Sequence, residues 1–286
     1  MESQFTIKPL GGAQEREALA FLAARPVHTA YLRGLIRDHG VSSPRNRGDF
    51  YACVGGGEVK GVALLGHATV IEAEEDAAAA AFARFALGRP YPRIIRGERR
   101  IVRQFWRQYQ SGGDLPHRLN HELLLAQRKP SEDIRPATGL RPASAADLPL
   151  LVEVNAELIR EEGGANPLER DPAGFRRRLL ERIERGRVWL WRDSGRLVFK
   201  TDVLADTPEA VYIEGVYVAP EERGRGVGVR CLAQLGGLLL ERSRAVCLTV
   251  NESKDAALSL YRKAGYETHC EYATIHLSPA GEAAAA

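Results

Sequence analysis

Long apolar runs are missing from this 286-residue chain, and none approaches the roughly 18 residues of a membrane span. The opening, Met1-Glu-Ser-Gln-Phe-Thr, lacks the charged-then-apolar order of a secretory signal. Cysteine is scarce. The four present (Cys53, Cys231, Cys247 and Cys270) form no CxxC pair and no Cys/His metal spacing. Reduced thiols in a cytoplasmic protein account for them. Histidine shows no ligand spacing either. His28, His39, His67, His117 and His121 are scattered, and His269 and His276 share a strand, so no metal is expected. Charge of one sign is also in short supply. A formal net charge of +3 excludes bulk binding to nucleic acid. Lysine is rare beside arginine, which genome composition explains as readily as phosphate binding does.

What is present is ordinary globular material, 44% hydrophobic and 27% charged, in a length that suits two domains. The first half reads as a strand at 5–10, helices at 15–24 and 27–38, and a hairpin of 50–54 with 59–70 around Gly55-Gly-Gly57. An alanine-rich helix at 76–87, a short strand at 93–95, a helix at 98–109 and a strand at 120–127 follow. The segment 96–107 reads as an amphipathic helix with a solvated basic face, carrying Arg99, Arg100, Arg103 and Arg107. The polar, proline-punctuated stretch Lys129-Pro-Ser-Glu-Asp-Ile-Arg-Pro136 marks a linker. The expected division is 1–129, a linker at 130–139, and 140–280.

The second half begins with Leu140-Arg-Pro. Ser144, with Asp147 three residues on, predicts a helix cap before 148–161. A helix at 172–185, a hairpin of 188–192 with 196–203 and a strand at 210–218 come next. A helix at 229–242, a strand at 246–250, a helix at 255–264 and a strand at 266–277 complete it.

The most informative stretch joins the strand ending Val216-Tyr217-Val218 to the helix expected at Val229. Between them lies Arg223-Gly224-Arg225-Gly226-Val227-Gly228. Glycines admit positive φ and close backbone approach. A helix beginning there aims free N–H groups and the positive dipole end at the turn. Together these make an anion site suited to a pyrophosphate.

Residues 140–277 resemble the GNAT superfamily of acyl-CoA-dependent N-acyltransferases. Arg223-x-x-Gly226-x-Gly228 fits the family's Arg/Gln-x-x-Gly-x-Gly/Ala loop. Leu248-Thr-Val-Asn251 and Ala257-Leu-Ser-Leu-Tyr261-Arg-Lys-Ala-Gly265-Tyr266 fit its second signature. The resemblance implies an α/β fold with a mixed sheet. It implies two GNAT-like domains in tandem, each a twisted, mostly antiparallel sheet flanked by helices, the first degenerate. It implies acetyl-CoA as co-substrate, its pyrophosphate on residues 223–228 and the first turn at Val229, and its pantetheine arm along Val216, Tyr217 and Val218. Asn251 and Ala257 complete that path. In the family the sheet splays at this strand and the cofactor fills the gap.

By the same resemblance Tyr261 is the candidate acid. The base is Glu214, nine residues before Arg223, acting directly or through water, with Tyr212 as the alternative. The expected reaction is acetyl transfer to a primary amine of a small molecule or peptide by a monomer or homodimer. A longer acyl-CoA, or a non-catalytic acyl-CoA-binding sensor or interaction module, are the rival readings. Glu161-Glu-Gly-Gly164 falls where relatives line the acceptor site, and a solvated acidic loop explains it equally. The first half has no such glycine loop before a helix.

Overall fold

The computed structural model describes residues 5–90, 92–112, 115, 117–131, 134–161 and 166–277. The N-terminal half runs β1 (Thr6–Pro9), α1 (Glu15–Ala23), α2 (Ala30–His39), β2 (Gly48–Gly55), β3 (Glu58–Gly66), β4 (Ala68–Ala73), α3 (Asp76–Ala86), β5 (Ile94–Glu98), α4 (Arg99–Tyr109) and β6 (His117–Gln127). The C-terminal half runs β7 (Leu140–Pro142), α5 (Leu148–Glu161), α6 (Pro167–Arg170), α7 (Pro172–Glu184), β8 (Val188–Asp193), β9 (Arg196–Asp206), β10 (Val211–Val218), α8 (Val227–Leu240), β11 (Val246–Asn251), α9 (Asp255–Lys263) and β12 (Glu267–Leu277).

Local chemistry explains most of these boundaries. Ser144 and Asp147 form the expected capping box ahead of α5. Asp171 caps α7 by accepting from the Gly174 N–H, and Pro172 fills the first position, where no N–H is needed. The single strand expected over 59–70 is two strands. The chain reverses at His67, whose N–H donates to the Arg47 carbonyl at 3.0 Å, and β4 returns antiparallel to β3. The four-residue α6, capped by Asn166, is too short to leave a periodic signal.

The strands form one twelve-stranded sheet in the order β1-β2-β3-β4-β5-β12-β6-β11-β10-β9-β8-β7. Among the described residues only β4–β5 and β10–β11 pair in parallel. The tandem halves are joined by an exchange. β6 leaves the first half to pair with β11, from Glu122↔Asn251 to Gln127↔Val246. β12 leaves the second half to pair with β5. The two exchanged strands pair with each other from His117↔Leu277 to Ala126↔Glu267. Alternating apolar residues reveal a strand's faces but not its hydrogen-bonding partners, so the sequence holds no sign of this.

Helices cover both faces. α8 buries Val227, Cys231, Leu232, Leu235 and Leu239 against Val211, Ile213 and Leu248 of the sheet. Each fully buried leucine there contributes about 1.5–3 kcal/mol. On the opposite face α2 crosses from its own half onto β9 and β10, and Ala30 and Tyr31 of its first turn, with Val27 just before it, pack with Ala205, Tyr212 and Cys247. The ion pairs Arg33–Glu209 (2.8 Å) and Arg187–Asp38 tie the halves together on that side. No helix among the described residues is long and apolar enough to cross a membrane.

Candidate active site

The glycine turn opens where β10 ends. Gly224 and Gly226 hold φ of 74° and 75°, and a Cβ at either position would meet nothing within 4 Å. The turn is therefore an open shelf whose backbone conformation favours glycine. The helix begins at Val227, two residues earlier than the expected Val229, so Val227, Gly228 and Val229 form its first turn. Gly226 is the N-cap, and no side chain caps the helix. The first N–H groups are thus left for a ligand or solvent. Arg223 folds back, its Nε donating to the Val218 carbonyl at 3.1 Å, while Arg225 pairs with Glu222 at 3.3 Å. Gly228 is tight where its neighbours are open. A Cβ there would lie 2.9 Å from Val218 Cγ2 and 3.0 Å from Leu260 Cδ1. That contact locks β10, α8 and α9 together at one point.

The second element is a gap in the sheet. β10 and β11 pair only at Val211↔Val246 and Tyr212↔Cys247. Beyond Tyr212 the two strands part, while β10 stays paired with β9 through Tyr217↔Lys200 and Val218↔Phe199. A register shift between Glu214 and Tyr217 bends the strand at this place. The edge carrying Val216, Tyr217 and Val218 therefore faces the gap. Asn251 ends β11, its Oδ1 accepting from the Ser253 N–H (2.9 Å) and hydroxyl (2.7 Å). Ala257 and Tyr261 lie on α9 and pack into the same cluster as Val211, Ile213 and Val227. Tyr261 is buried, edge-on to Tyr266 with ring centroids 6.0 Å apart.

Glu214 and Tyr212 border the other face of the gap. Tyr212 is edge-on to Tyr31 of α2, with centroids 6.0 Å apart. Burial, followed by the Glu214 carboxylate, pushes the Tyr31 hydroxyl above its ordinary value. Glu214 is half-buried, and its carbonyl accepts from the Thr201 hydroxyl at 3.0 Å. Below it lies a buried ionic group. Lys200 Nζ donates to Asn155 Oδ1 (2.6 Å) and sits 3.1 Å from Asp202, which Arg182 also contacts at 2.8 Å. Burial lowers the Lys200 pKa despite Asp202.

One correction concerns Arg96. The sequence reading folds it into the basic helix, but it lies on β5, outside α4, and reaches toward the gap. Its Nη2 donates to Tyr212 Oη at 2.7 Å and to Thr249 Oγ1 at 2.6 Å. Only the curl of the sheet brings β5 to strands three and four places away. A lone arginine between Ile95 and Gly97 in a short apolar strand was the signal available. Tyr31 and Thr249 were likewise missed, because each reads as ordinary packing. Of the acidic stretch 161–164, only Glu161 is among the described residues.

The corresponding place in the N-terminal half is different. The connection from β4 to α3 carries Glu74, Glu75 and Asp76, and Arg100 pairs with Asp76. Carboxylates at a helix start repel a phosphate rather than hold one. β4 and β5 also remain paired over four positions, from Ala68↔Ile94 to Ile71↔Gly97.

Residues 184–268 match the family model described as an acetyltransferase (GNAT) domain. No curated protein matches the chain in sequence. Among solved structures, a Drosophila protein superposes with a TM-score of 0.68 at 12% identity, covering 96% of this chain and 98% of that one. A GCN5-related N-acetyltransferase from Sphaerobacter thermophilus does so with a TM-score of 0.61 at 18% identity, over 96% and 95%. A tandem GNAT protein from the clavulanic acid biosynthesis pathway follows at 0.58 and 14%, over 97% and 100%. Fold is shared along both halves in each case. Residues 184–268 thus match an acetyltransferase (GNAT) domain, and the fold of nearly the whole chain is similar to that of tandem GNAT proteins.

Proposed function

We propose that the protein transfers the acetyl group of acetyl-CoA to a primary amine, in the C-terminal domain 140–280. The observation that carries this reading is the conjunction of an open glycine shelf at 223–228 with the parting of β10 and β11 beyond Tyr212. The shelf offers backbone N–H groups and a helix dipole to a pyrophosphate, a contribution of about 1 kcal/mol from the dipole. The free edge of Val216–Val218 offers strand-like hydrogen bonds to an extended amide arm. Asn251 and Ala257 border that path. The N-terminal half, with Glu74, Glu75 and Asp76 in the corresponding place, has a structural role and helps to form the acceptor cleft.

Acetyl-CoA supplies the activated acetyl thioester. In this reading Glu214, directly or through water, takes the proton from the attacking amine. Tyr261 gives a proton to the departing sulfur as the C–S bond breaks and the C–N bond forms. The two residues belong to different sides of the gap. Glu214 borders the face toward α2, and Tyr261 packs beneath α8. The products are an N-acetyl amine and free coenzyme A thiol. The reading includes a cytoplasmic location, with Cys53, Cys231, Cys247 and Cys270 as free thiols.

The test is acetyl-CoA-dependent thiol release over an amine panel, with acetyl-CoA binding measured separately. Tyr261→Phe is expected to bind acetyl-CoA as the wild type does and to lose roughly 100-fold or more in kcat, the usual worth of a general acid. Unchanged turnover in Tyr261→Phe removes its assignment as acid. Absence of acetyl-CoA binding at millimolar concentration overturns the reading.

A further inference from the structure

A buried cation stands on the amine side of the gap, near the Glu122 and Glu214 carboxylates but held directly by hydroxyls. Arg96 holds the Tyr212 and Thr249 hydroxyls across the point where β10 and β11 part, and those hydroxyls bond each other at 2.9 Å. Among the described residues it makes no ion pair. Three partly or fully buried arginines elsewhere in the fold each have one. Arg25 holds Glu72, Arg182 holds Asp202, and Arg33 holds Glu209. Its hydroxyl partners do not neutralise it, because burial pushes the Tyr212 phenol up to about 12. Burial also opposes the Arg96 charge, but Tyr212 and the carboxylates of Glu122 and Glu214 outweigh it, so the guanidinium stays charged.

A second observation extends the positive potential outward. The His67 N–H donates to the Arg47 carbonyl at 3.0 Å, and the Arg93 N–H donates to the His67 carbonyl at 2.9 Å. Arg47, His67 and Arg93 therefore stand in a row across the strand ends of the N-terminal half. Arg170 of α6 and Arg178 of α7 approach them from the other half. Burial, then Arg47, Arg93 and Arg170, holds the His67 imidazole below its ordinary value. Burial and then Arg178 lowers the Arg47 guanidinium, against the Asp171 carboxylate, which pairs with Arg178 at 3.0 Å. Arg47, Arg93 and Arg170 make no ion pair among the described residues. Asp171 offsets Arg178, which leaves Arg47, Arg93 and Arg170 as an excess of positive charge that attracts a further anion. Tyr31 joins this row to the gap: its ring stands edge-on to Tyr212 with centroids 6.0 Å apart, and Glu214, Arg96 and Arg47 act on its hydroxyl.

We propose that the acceptor amine carries an anionic group, a carboxylate or a phosphate, which Arg96 of the N-terminal half holds beside Glu214 while Arg47 and Arg93 draw it in. The inference rests on the acetyl-transfer reading for the identity of the ligand as acceptor. It gives the half without a glycine shelf a task in the chemistry of the other. A planar guanidinium is the fitting donor, since it binds both oxygens of a carboxylate or phosphate at once. Electrostatic attraction at the mouth of the cleft acts on the rate of encounter.

The experiment compares matched amines as acceptors. Amino acids are set against their amides, for the carboxylate arm. Phosphoethanolamine is set against ethanolamine, for the phosphate arm. Thiol release gives turnover, and thermal shift in the presence of coenzyme A gives binding independently of turnover. The wild type is expected to prefer the anionic member of one pair by tenfold or more in kcat/KM. Arg96→Met is expected to erase the preference by raising KM on the order of tenfold to a hundredfold, the usual worth of a charge-assisted hydrogen bond. Arg96→Lys should restore part of it. Arg47→Gln and Arg93→Gln lie nearer the surface and keep the fold testable. They are expected to lower kcat/KM for anionic acceptors and flatten its salt dependence while leaving neutral amines unaffected. Equal use of acid and amide by the wild type, with transfer intact, overturns the inference and leaves the transfer reading standing. Anion-dependent stabilisation that Arg96→Met loses, with no transfer to any amine, supports the anion site and sinks the transfer reading instead. Neither stabilisation nor preference in any pair overturns the inference.

Discussion

Gly34 of α2 rests directly on Ala205 of β9. A Cβ built at position 34 would fall 2.8 Å from the Ala205 Cα and closer still to its Cβ. This contact lets a helix of the N-terminal half lie flat on the sheet of the other half, and it sets the distance at which Tyr31 meets Tyr212.

Gly34→Ala is therefore expected to destabilise the protein even though alanine is the better helix former. Backbone atoms cannot give way cheaply, and overpacking costs about 1–3 kcal/mol, more than the roughly 1 kcal/mol of helix propensity gained. Gly237→Ala on α8 is the control. A Cβ there meets nothing within 4 Å, so the same change should raise stability. Thermal midpoints of the two variants should move in opposite directions. Movement in the same direction would refute the close-contact account.

Gly226→Ala should cost about 1–2 kcal/mol from the left-handed backbone alone, because the space around the new methyl is open. It should also weaken acetyl-CoA binding if the turn is the pyrophosphate shelf. With acetyl-CoA at 100 times its Kd, the wild type should gain about 2.7 kcal/mol, a midpoint rise of roughly 2–4 °C or more. The variant should show less of that rise. An equal rise in both would move the cofactor off this turn.

Asp202→Ala should destabilise the protein by about 3–5 kcal/mol, because it takes the close carboxylate from buried Lys200, leaving Asn155 Oδ1 as its hydrogen-bond partner, and takes the partner of Arg182. Lys200 is 0% exposed, so water cannot replace the lost carboxylate without opening the structure. The urea midpoint should fall with little change in slope. A midpoint within error of the wild type would mean that the pair is not buried in solution.

The cluster around Arg25 has a signed pH dependence. Burial, then Arg25 and His269, holds the His28 imidazole down to about 4, although Glu98 opposes them. The unfolded chain takes up a proton near 6.5 that the folded chain refuses, so this group costs stability as pH falls from about 6.5 to about 4. Glu72 works the other way. Burial and then Glu98 raise it to about 7 against Arg25, so its contribution weakens as pH rises from about 4.5 to about 7. His28→Gln should flatten the acid side of the stability profile, and Glu72→Gln should flatten the fall toward neutral pH. Chemical denaturation from pH 4 to 7.5 checks both, and profiles parallel to the wild type in both variants would remove the assignment.

Much of this protein is determined by neighbours in the sequence. Asp147 caps what Ser144 begins, Pro172 opens α7, and the periodicity of residues 148–161 is α5, because caps, turns and amphipathic spacing act over three or four residues. The glycine turn was legible for the same reason, and its helix start moved by only two residues, to Val227. What only the tertiary structure decided is which edges and distant side chains meet. Hydrogen bonding along a strand edge is carried by the backbone, which is alike in every strand, so the exchange of β6 and β12 left no mark on the alternation of either. Arg96 looked like one more charge in a basic stretch. It became a candidate ligand residue only when the curl of a twelve-stranded sheet carried β5 around to the place where β10 leaves β11.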